Sequence, residues 1–506
     1  MALSASVLAG LLAASTASAQ IMLGPTDDVE SALNALDPGD EVILADGMYS
    51  LSGRFSFTAI GTAAQPIVIR AADGATPHFH RPDASQNIWD IDDAAYVTIR
   101  GLRFTGGSAG LRVSGADHLT IEDCEIAETE DVALRMNDGG VTYMAVQILR
   151  NHIHDTGGTG EGMYLGCNDD GCRLADSLIA NNYVHHTNAG DVSQGDGIEL
   201  KDGSYNVTIR DNVIHDTNYP CILGYSTSGN GGPNLVEGNV MWHCGDNGIQ
   251  WEANATIRNN IVLGAGGSAM ASQMHQENGP NELTIVHNTF INMGGDAIAI
   301  RNASGPVTVA NNAAYSMGGR AIFVNGNAAT ITCEGNAGAG SVQGITTTLI
   351  AGDIGVDFVA ASFSGDLPQD VFPTMTGALG GAGVAAHVVM FDFNGTDRMG
   401  VADIGAYALG DGTNPGGPIM EGFKPGPTGP GPGSDAGVPS GTDAGVAPGT
   451  DAGPRRDGGG VSPGTDAGPG GMDDGGCGCR AARPAGARWP SLALVALIAL
   501  AWRRRR

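Results

Sequence analysis

Three stretches carry the fold: Ile148-Leu-Arg-Asn151-His-Ile153, Ile179-Ala-Asn-Asn182-Tyr-Val184 and Ile209-Arg-Asp-Asn212-Val-Ile214. Each reads branched apolar, two variable residues, asparagine, one variable residue, apolar. The unit continues as Val236–Asn239–Met241, Ile257–Asn260–Val262, Ile285–Asn288–Phe290 and Val309–Asn312. Successive asparagines stand 31, 30, 27, 21, 28 and 24 residues apart. Ile121–Cys124–Ile126 is an earlier version without asparagine, and Cys333 to Asn336 a later, weaker one. The apolar residues alternate by two, as in strands, and no helical period survives. Short strands recurring at this interval with glycine turns fit the turns of a parallel β-helix, whose coils bury their inner faces only by stacking. Stacked coils sit ~4.8 Å apart. An asparagine repeated at one position then forms a column in which each amide bonds its neighbours and the turn backbone.

The ends fit the same reading. Val29–Leu36 reads as a short helix covering the open apolar end of the stack. Glu41–Leu44 follows as the first strand. Asp392-Phe-Asn-Gly-Thr-Asp-Arg398 and Asp403-Ile-Gly-Ala-Tyr407 resemble the closing segment of many bacterial right-handed β-helix proteins. That resemblance covers about residues 30–410. It implies an all-β, right-handed parallel β-helix, a solenoid with a short N-terminal capping helix. It says little about function, because one fold hosts many.

Composition narrows the class. The 506 residues include 80 glycines, and 54 acidic residues stand against 25 basic ones, for a formal charge of −29. This excludes a nucleic-acid binder working through a general basic surface. It also excludes a helical bundle or coiled coil, which would be rich in Ala, Glu, Lys and Leu without this much glycine. Lysine occurs only at Lys201 and Lys424.

Both termini read as addresses. Residues 1–19 form a small, apolar run ending Ala17-Ser18-Ala19 before Gln20, an A-x-A cleavage pattern. It lacks an early basic residue. The reading is a signal peptide at 1–19, a β-helix domain at 20–410, a Gly/Pro/Asp-rich spacer at 411–476 and a tail at 477–506. The spacer repeats Asp-Ala-Gly at Asp435, Asp443, Asp451 and Asp466 and lacks apolar side chains to offset the entropy of ordering. The tail runs Cys477-Gly478-Cys479, an apolar stretch from Trp489 to Trp502, then Arg503 to Arg506. This order resembles the MYXO-CTERM sorting signals of myxobacterial exported proteins. The resemblance implies processing near Cys477 and Cys479 and retention at the cell surface. A plain single-span anchor is the alternative. Either way the domain lies outside the cytoplasm, where disulfides form. Cys167 and Cys172 bracket a turn-forming tetrad and are expected to pair. Cys124, Cys221, Cys244 and Cys333 read as buried thiols or as unassigned pairs.

After each asparagine unit comes a strand of the form Gly-apolar-x-apolar. Alignment by the inward residue puts Leu111, Leu134, Met163, Ile198, Ile222, Ile249, Met270 and Ile298 in one column. The outward neighbours then gather Glu161, Asp196, Glu199, Lys201, Tyr164, Tyr225, Arg135, Gln250 and Glu252 on one face. The coils feeding it are the longest, so their extra residues should wall it with loops. The face has the parts for β-elimination on a uronic-acid polymer. Lys201 is the candidate base, Tyr225 the candidate acid, and Arg135 completes the candidate catalytic set. Glu161, Asp196 and Glu199 are candidate Ca²⁺ ligands, since that ion takes several carboxylate oxygens. Tyr164, Gln250 and Glu252 are candidate substrate contacts. Asp196-Gly-Ile-Glu-Leu-Lys201 is similar to the strand bearing the lysine base in the chondroitinase B/alginate lyase family. There an acidic calcium ligand lies five residues before the lysine, where Asp196 lies. The arginine expected one coil later has no counterpart; Gly224 and Tyr225 stand there.

Other readings of the same residues remain open. Two of Glu161, Asp196, Glu199 and Glu252 could serve a glycoside hydrolase as acid and base. Glu199 and Lys201 could be an ordinary surface ion pair on a non-catalytic adhesion or carbohydrate-binding protein. His154, His185 and His215 stack in register and read as packing on an outer face rather than as a metal site. The expected partner is an acidic polysaccharide, bound by a monomer that meets a membrane only through its tail.

Overall fold

The computed structural model of the protein describes residues 19–276 and 278–425. The expected signal peptide up to residue 18, the chain from 426 onward, Cys477 and Cys479 lie outside the described residues.

The described chain is a parallel β-helix of about 11 turns. Each full coil supplies three strands, and strands at the same place in successive coils pair in parallel. In the first sheet Ile121, Ile148, Ile179, Ile209, Val236, Ile257, Ile285 and Val309 stand in one inward column. In the third sheet the column from Leu111 to Ile298 stands as the alignment requires. All of these side chains are fully buried. Each contributes on the order of 1.5–3 kcal/mol of apolar burial, which no isolated coil could collect.

The asparagine column forms between the first and second sheets. Asn212 is typical. Its Nδ2 donates to Ile179 O at 3.0 Å and to Asn239 Oδ1 at 3.0 Å. Its Oδ1 accepts from the backbone N and the Nδ2 of Asn182, both at 2.9 Å. The pattern runs from Asn151 to Asn336, and Cys124 ends it by donating its backbone N–H to Asn151 Oδ1. The residue before each column member has a positive φ: 54° at Asp123, 57° at Asn181 and Asp211, 53° at Asn259. Asp, Asn and Gly tolerate that region best. Arg150, at 53°, does not belong to that group; Asp123 of the preceding coil clamps its guanidinium at 2.7 and 3.0 Å.

Both ends differ in detail from the sequence reading. The helix spans Val29–Leu33, capped by Asp28 Oδ1 accepting from Ser31 N, and stops short of Leu36. Glu41–Leu44 is not the first strand; Gln20–Leu23 precedes it and pairs with it in parallel. The closing segment does not lie over the end of the stack. Residues 354–419 fold back along the outer side of the second sheet. Phe358, Phe372, Phe393 and Tyr407 pack there on Val213, Val240, Trp242, Ile261 and Ile291. Buried Arg398 fastens this cover, donating to Asn259 Oδ1 and to the carbonyls of Asp403, Gly405, Ala406 and Tyr407.

The packed domain also continues past residue 410. Lys424, which the sequence placed in the spacer, gives its ammonium to Asp211 Oδ1, Gly238 O and Phe393 O at 2.6–2.9 Å. Cys167 and Cys172 are bonded, and so are Cys221 and Cys244, a pair the sequence left unassigned. Cys124 and Cys333 are free thiols.

Candidate active site

The outer side of the third sheet carries the acidic cluster. Tyr164 and Glu199 are register partners on adjacent strands, with Arg135 one strand before and Leu223 one strand after. Lys201 and Tyr225 follow just past the ends of the strands Ile198–Leu200 and Ile222–Gly224. These residues point away from the apolar interior, yet the long coils wall them in. Glu161 and Asp196 are fully buried, Glu199 is 1% exposed and Lys201 4%. An ordinary surface ion pair is therefore not what Glu199 and Lys201 form. Gly166, at φ +98°, lies against the lysine stem; a Cβ there would come within 2.9 Å of Lys201 Cβ.

Lys201 Nζ lies 2.5 Å from Glu199 Oε1, and Tyr225 donates its hydroxyl to the same oxygen at 3.2 Å. The ammonium sits 4.4 Å from the centre of the Tyr164 ring and 5.1 Å from that of Tyr225. Burial works to lower the Lys201 pKa. The Glu199 carboxylate, with smaller contributions from Tyr225 and Tyr164, overrides it and leaves it raised. Burial, reinforced by Glu199, pushes the Tyr225 phenol well up, so it stays protonated.

The remaining carboxylates lack partners. Both oxygens of Glu161, both of Asp196 and Oε2 of Glu199 are buried without a hydrogen bond. The three side chains each bring an oxygen within 4.8 Å of the others. Burial, then the Glu199 charge, pushes Glu161 up to about 7 and Asp196 well above its usual range. Native interiors rarely leave so many acceptors unpaired. One lysine cannot neutralise three buried carboxylates. Clustered, unpartnered carboxylate oxygens are the donor set a hard divalent cation such as Ca²⁺ takes, so Glu161, Asp196 and Glu199 fit that ion.

The other expected residues lie further along. Glu252 Oε1 accepts from the backbone N–H groups of His275 and Asn278, both at 3.0 Å, while Oε2 is unpartnered. Burial pushes Glu252 up to about 7. Gln250 accepts from Asn247 Nδ2 at 2.8 Å. Arg135 lies two strands from Glu199 and turns toward Asp131, 3.8 Å away. The structure thus brings Glu161, Asp196, Glu199, Lys201, Tyr164 and Tyr225 together and leaves Arg135 beside them. Where an arginine was sought, Gly224 has no room for one: a Cβ would run into the ring of buried Trp251.

One residue here escaped the sequence reading. His275 stacks on Tyr225, ring centres 4.7 Å apart, and burial lowers its pKa, helped by Lys201. It comes from an insertion between Asn260 and Asn288, the only signal that could have drawn attention to it.

Residues 13–172 match the model of a Pel9A-like right-handed β-helix region, and residues 162–314 that of a right-handed β-helix region. No curated protein matches the sequence. An alginate lyase from Paenibacillus sp. str. FPU-7 is 19% identical, with 62% of this chain and 99% of that one covered and a TM-score of 0.42. Pectate lyase Pel9A is 16% identical, with 77% and 96% covered and a TM-score of 0.41. The A-module of a mannuronan C-5 epimerase from Azotobacter vinelandii is 14% identical, with 65% and 96% covered and a TM-score of 0.42. Likenesses of this size say nothing of activity. The two matched regions and the stacked coils agree on one architecture: the chain is a right-handed parallel β-helix.

Proposed function

We propose that the protein is a polysaccharide lyase that cleaves uronic-acid-containing glycans by β-elimination on the walled face of the third sheet. One observation carries the reading: five buried, unpartnered carboxylate oxygens lie beside a buried lysine–tyrosine pair. Lys201 Nζ, as the free amine, takes the proton next to the sugar carboxylate. The electron pair left behind forms a carbon–carbon double bond as the glycosidic oxygen departs. Tyr225, kept protonated by burial and by Glu199, donates its proton to that oxygen. The Tyr164 ring holds Nζ in place through its face. A calcium ion held by Glu161, Asp196 and Glu199 would supply the positive charge that stabilises the substrate carboxylate. Without the ion, Glu199 chiefly keeps Lys201 charged, so the ion-free protein is a poor base.

We further propose that the protein is exported and surface-tethered, which the A-x-A pattern before Gln20 and the cysteine, apolar and arginine tail support. The test of function is incubation with a panel of uronic-acid polymers, with and without Ca²⁺. Ultraviolet absorbance of an unsaturated product supports the lyase. New reducing ends without that absorbance would make it a hydrolase, and glycan retention with neither would make it a binding protein.

A further inference from the structure

We infer that the second sheet carries a separate transition-metal site of the zinc class, built by His152, His154 and His185 with Glu125 as fourth ligand. His152 and His154 are two apart on one strand and so face the same side. His185 is the register partner of His154 on the next strand, and Glu125 that of His152 on the preceding one. Three coils therefore converge on one patch. A ring nitrogen of each histidine lies within 4.8 Å of the others.

One ring nitrogen of the three histidines is buried without a hydrogen bond, and two others face each other. His154 Nδ1 lies 2.7 Å from Asp155 Oδ2, so on binding an ion the ring would keep its proton on Nδ1 and offer Nε2. That Nε2 is buried with no hydrogen-bond partner, and Glu125 Oε1 lies 3.4 Å away. His152 Nε2 and His185 Nε2 face each other at 2.8 Å. A carboxylate behind an imidazole whose other nitrogen is free is the usual support of a metal-bound histidine. His185 Nδ1 also faces a histidine nitrogen, His186 Nδ1, at 2.5 Å. The next histidine in the column differs in its partners: His215 Nε2 meets the Tyr183 hydroxyl at 2.9 Å and Nδ1 meets Asp216 at 2.6 Å. Rotation about its side-chain bonds would bring Glu125 Oε1, 3.4 Å from His154 Nε2, to join the three imidazole nitrogens around a single ion. Nitrogen donors select zinc or its neighbours over calcium, and four protein ligands make a closed, structural site. The ion would staple three coils of the second sheet beside the strip covered by residues 354–419.

The test uses the untagged protein, stripped with chelator and titrated with Co²⁺, with calcium present to occupy oxygen sites. One equivalent should bind with the strong visible bands of four-coordinate cobalt, and Zn²⁺ should displace it. His185→Asn and His154→Asn should abolish those bands. Asp155→Asn, on an exposed residue, should weaken binding about 10–100-fold through loss of the supporting carboxylate. Asp196→Asn should leave these bands unchanged. Weak octahedral cobalt spectra, no binding, or bands that survive His185→Asn would overturn the proposal. Should the histidine variants fail to fold, Glu125→Gln and Asp155→Asn decide it: unchanged affinity in both refutes the site.

Discussion

Two columns of buried polar side chains run through the same coils, and they differ in one respect. In the asparagine column every amide oxygen and nitrogen from Asn151 to Asn312 has a partner. In the cluster of Glu161, Asp196 and Glu199, five of six oxygens have none. Burial is equal, so burial is not what marks function. The satisfied column lowers the free energy of the fold. The unsatisfied one raises it, and in the proposed function a bound cation would offset that cost. The two lysines repeat the lesson. Lys424 reaches three oxygen acceptors and fastens the closing segment, whereas Lys201 has Glu199 alone and two aromatic faces.

Lys201→Arg should break the site while sparing the fold. Arginine keeps the charge beside Glu199 but cannot accept a proton at working pH. Turnover of the identified substrate should fall about 10²–10⁴-fold with substrate binding nearly intact. Full activity in this variant would move the base elsewhere. Asn212→Leu should do the reverse. It strands the backbone N–H of Asn182, removes one of the two bonds of Asn182 Nδ2 and the bond to the Ile179 carbonyl, and should cost about 3 kcal/mol or more, read by denaturant unfolding. A loss under about 1 kcal/mol would mean the column is decoration.

The pH dependence of the calcium-free protein separates the columns again. The folded state raises the Glu161 pKa to about 7 from an ordinary value of 4.5. The folded chain therefore binds more protons than the unfolded one between those values. The stability this group contributes should be fully present below pH ~4.5 and be lost through pH ~7, on the order of 3 kcal/mol, with Asp196 and Glu252, also raised, adding in the same direction. Glu161→Gln should flatten the slope. The amides of the other column cannot titrate, so Asn212→Leu should leave the slope unchanged. The smallest effect concerns the second lysine: Lys424→Ala should lower stability by about 2 kcal/mol without altering turnover.

Much of this was legible in the sequence, for physical reasons. The asparagine column is periodic, and the Asp, Asn or Gly before most of its members already signals a positive φ. The third-sheet face follows from strand alternation once one inward column is fixed, which is why Tyr164, Glu199, Lys201 and Tyr225 fall where alignment put them. The enclosure of Lys201 was less legible, because loops of irregular length obey no period. His275 and Asn278 come from such a loop. The cover over the second sheet left a signal that went unread. Val213, Val240 and Ile261 precede inward Ile214, Met241 and Val262, so these strands are apolar on both sides, as a sheet covered on both faces requires. The strand Gln20–Leu23 was overlooked because it follows directly on the expected cleavage site.

The central claim is that the unpartnered carboxylates form a cation site serving an acidic-glycan lyase. Thermal unfolding of the wild type and of Asp196→Asn at neutral pH, each with and without Ca²⁺, tests it most directly. Without calcium the variant should melt at or above the wild type, since a buried carboxyl with no hydrogen-bond partner is gone. Calcium at a hundred times its Kd should stabilise the wild type by about 2.7 kcal/mol and leave the variant almost unmoved. An equal calcium shift in both proteins, or none in the wild type, would contradict the account.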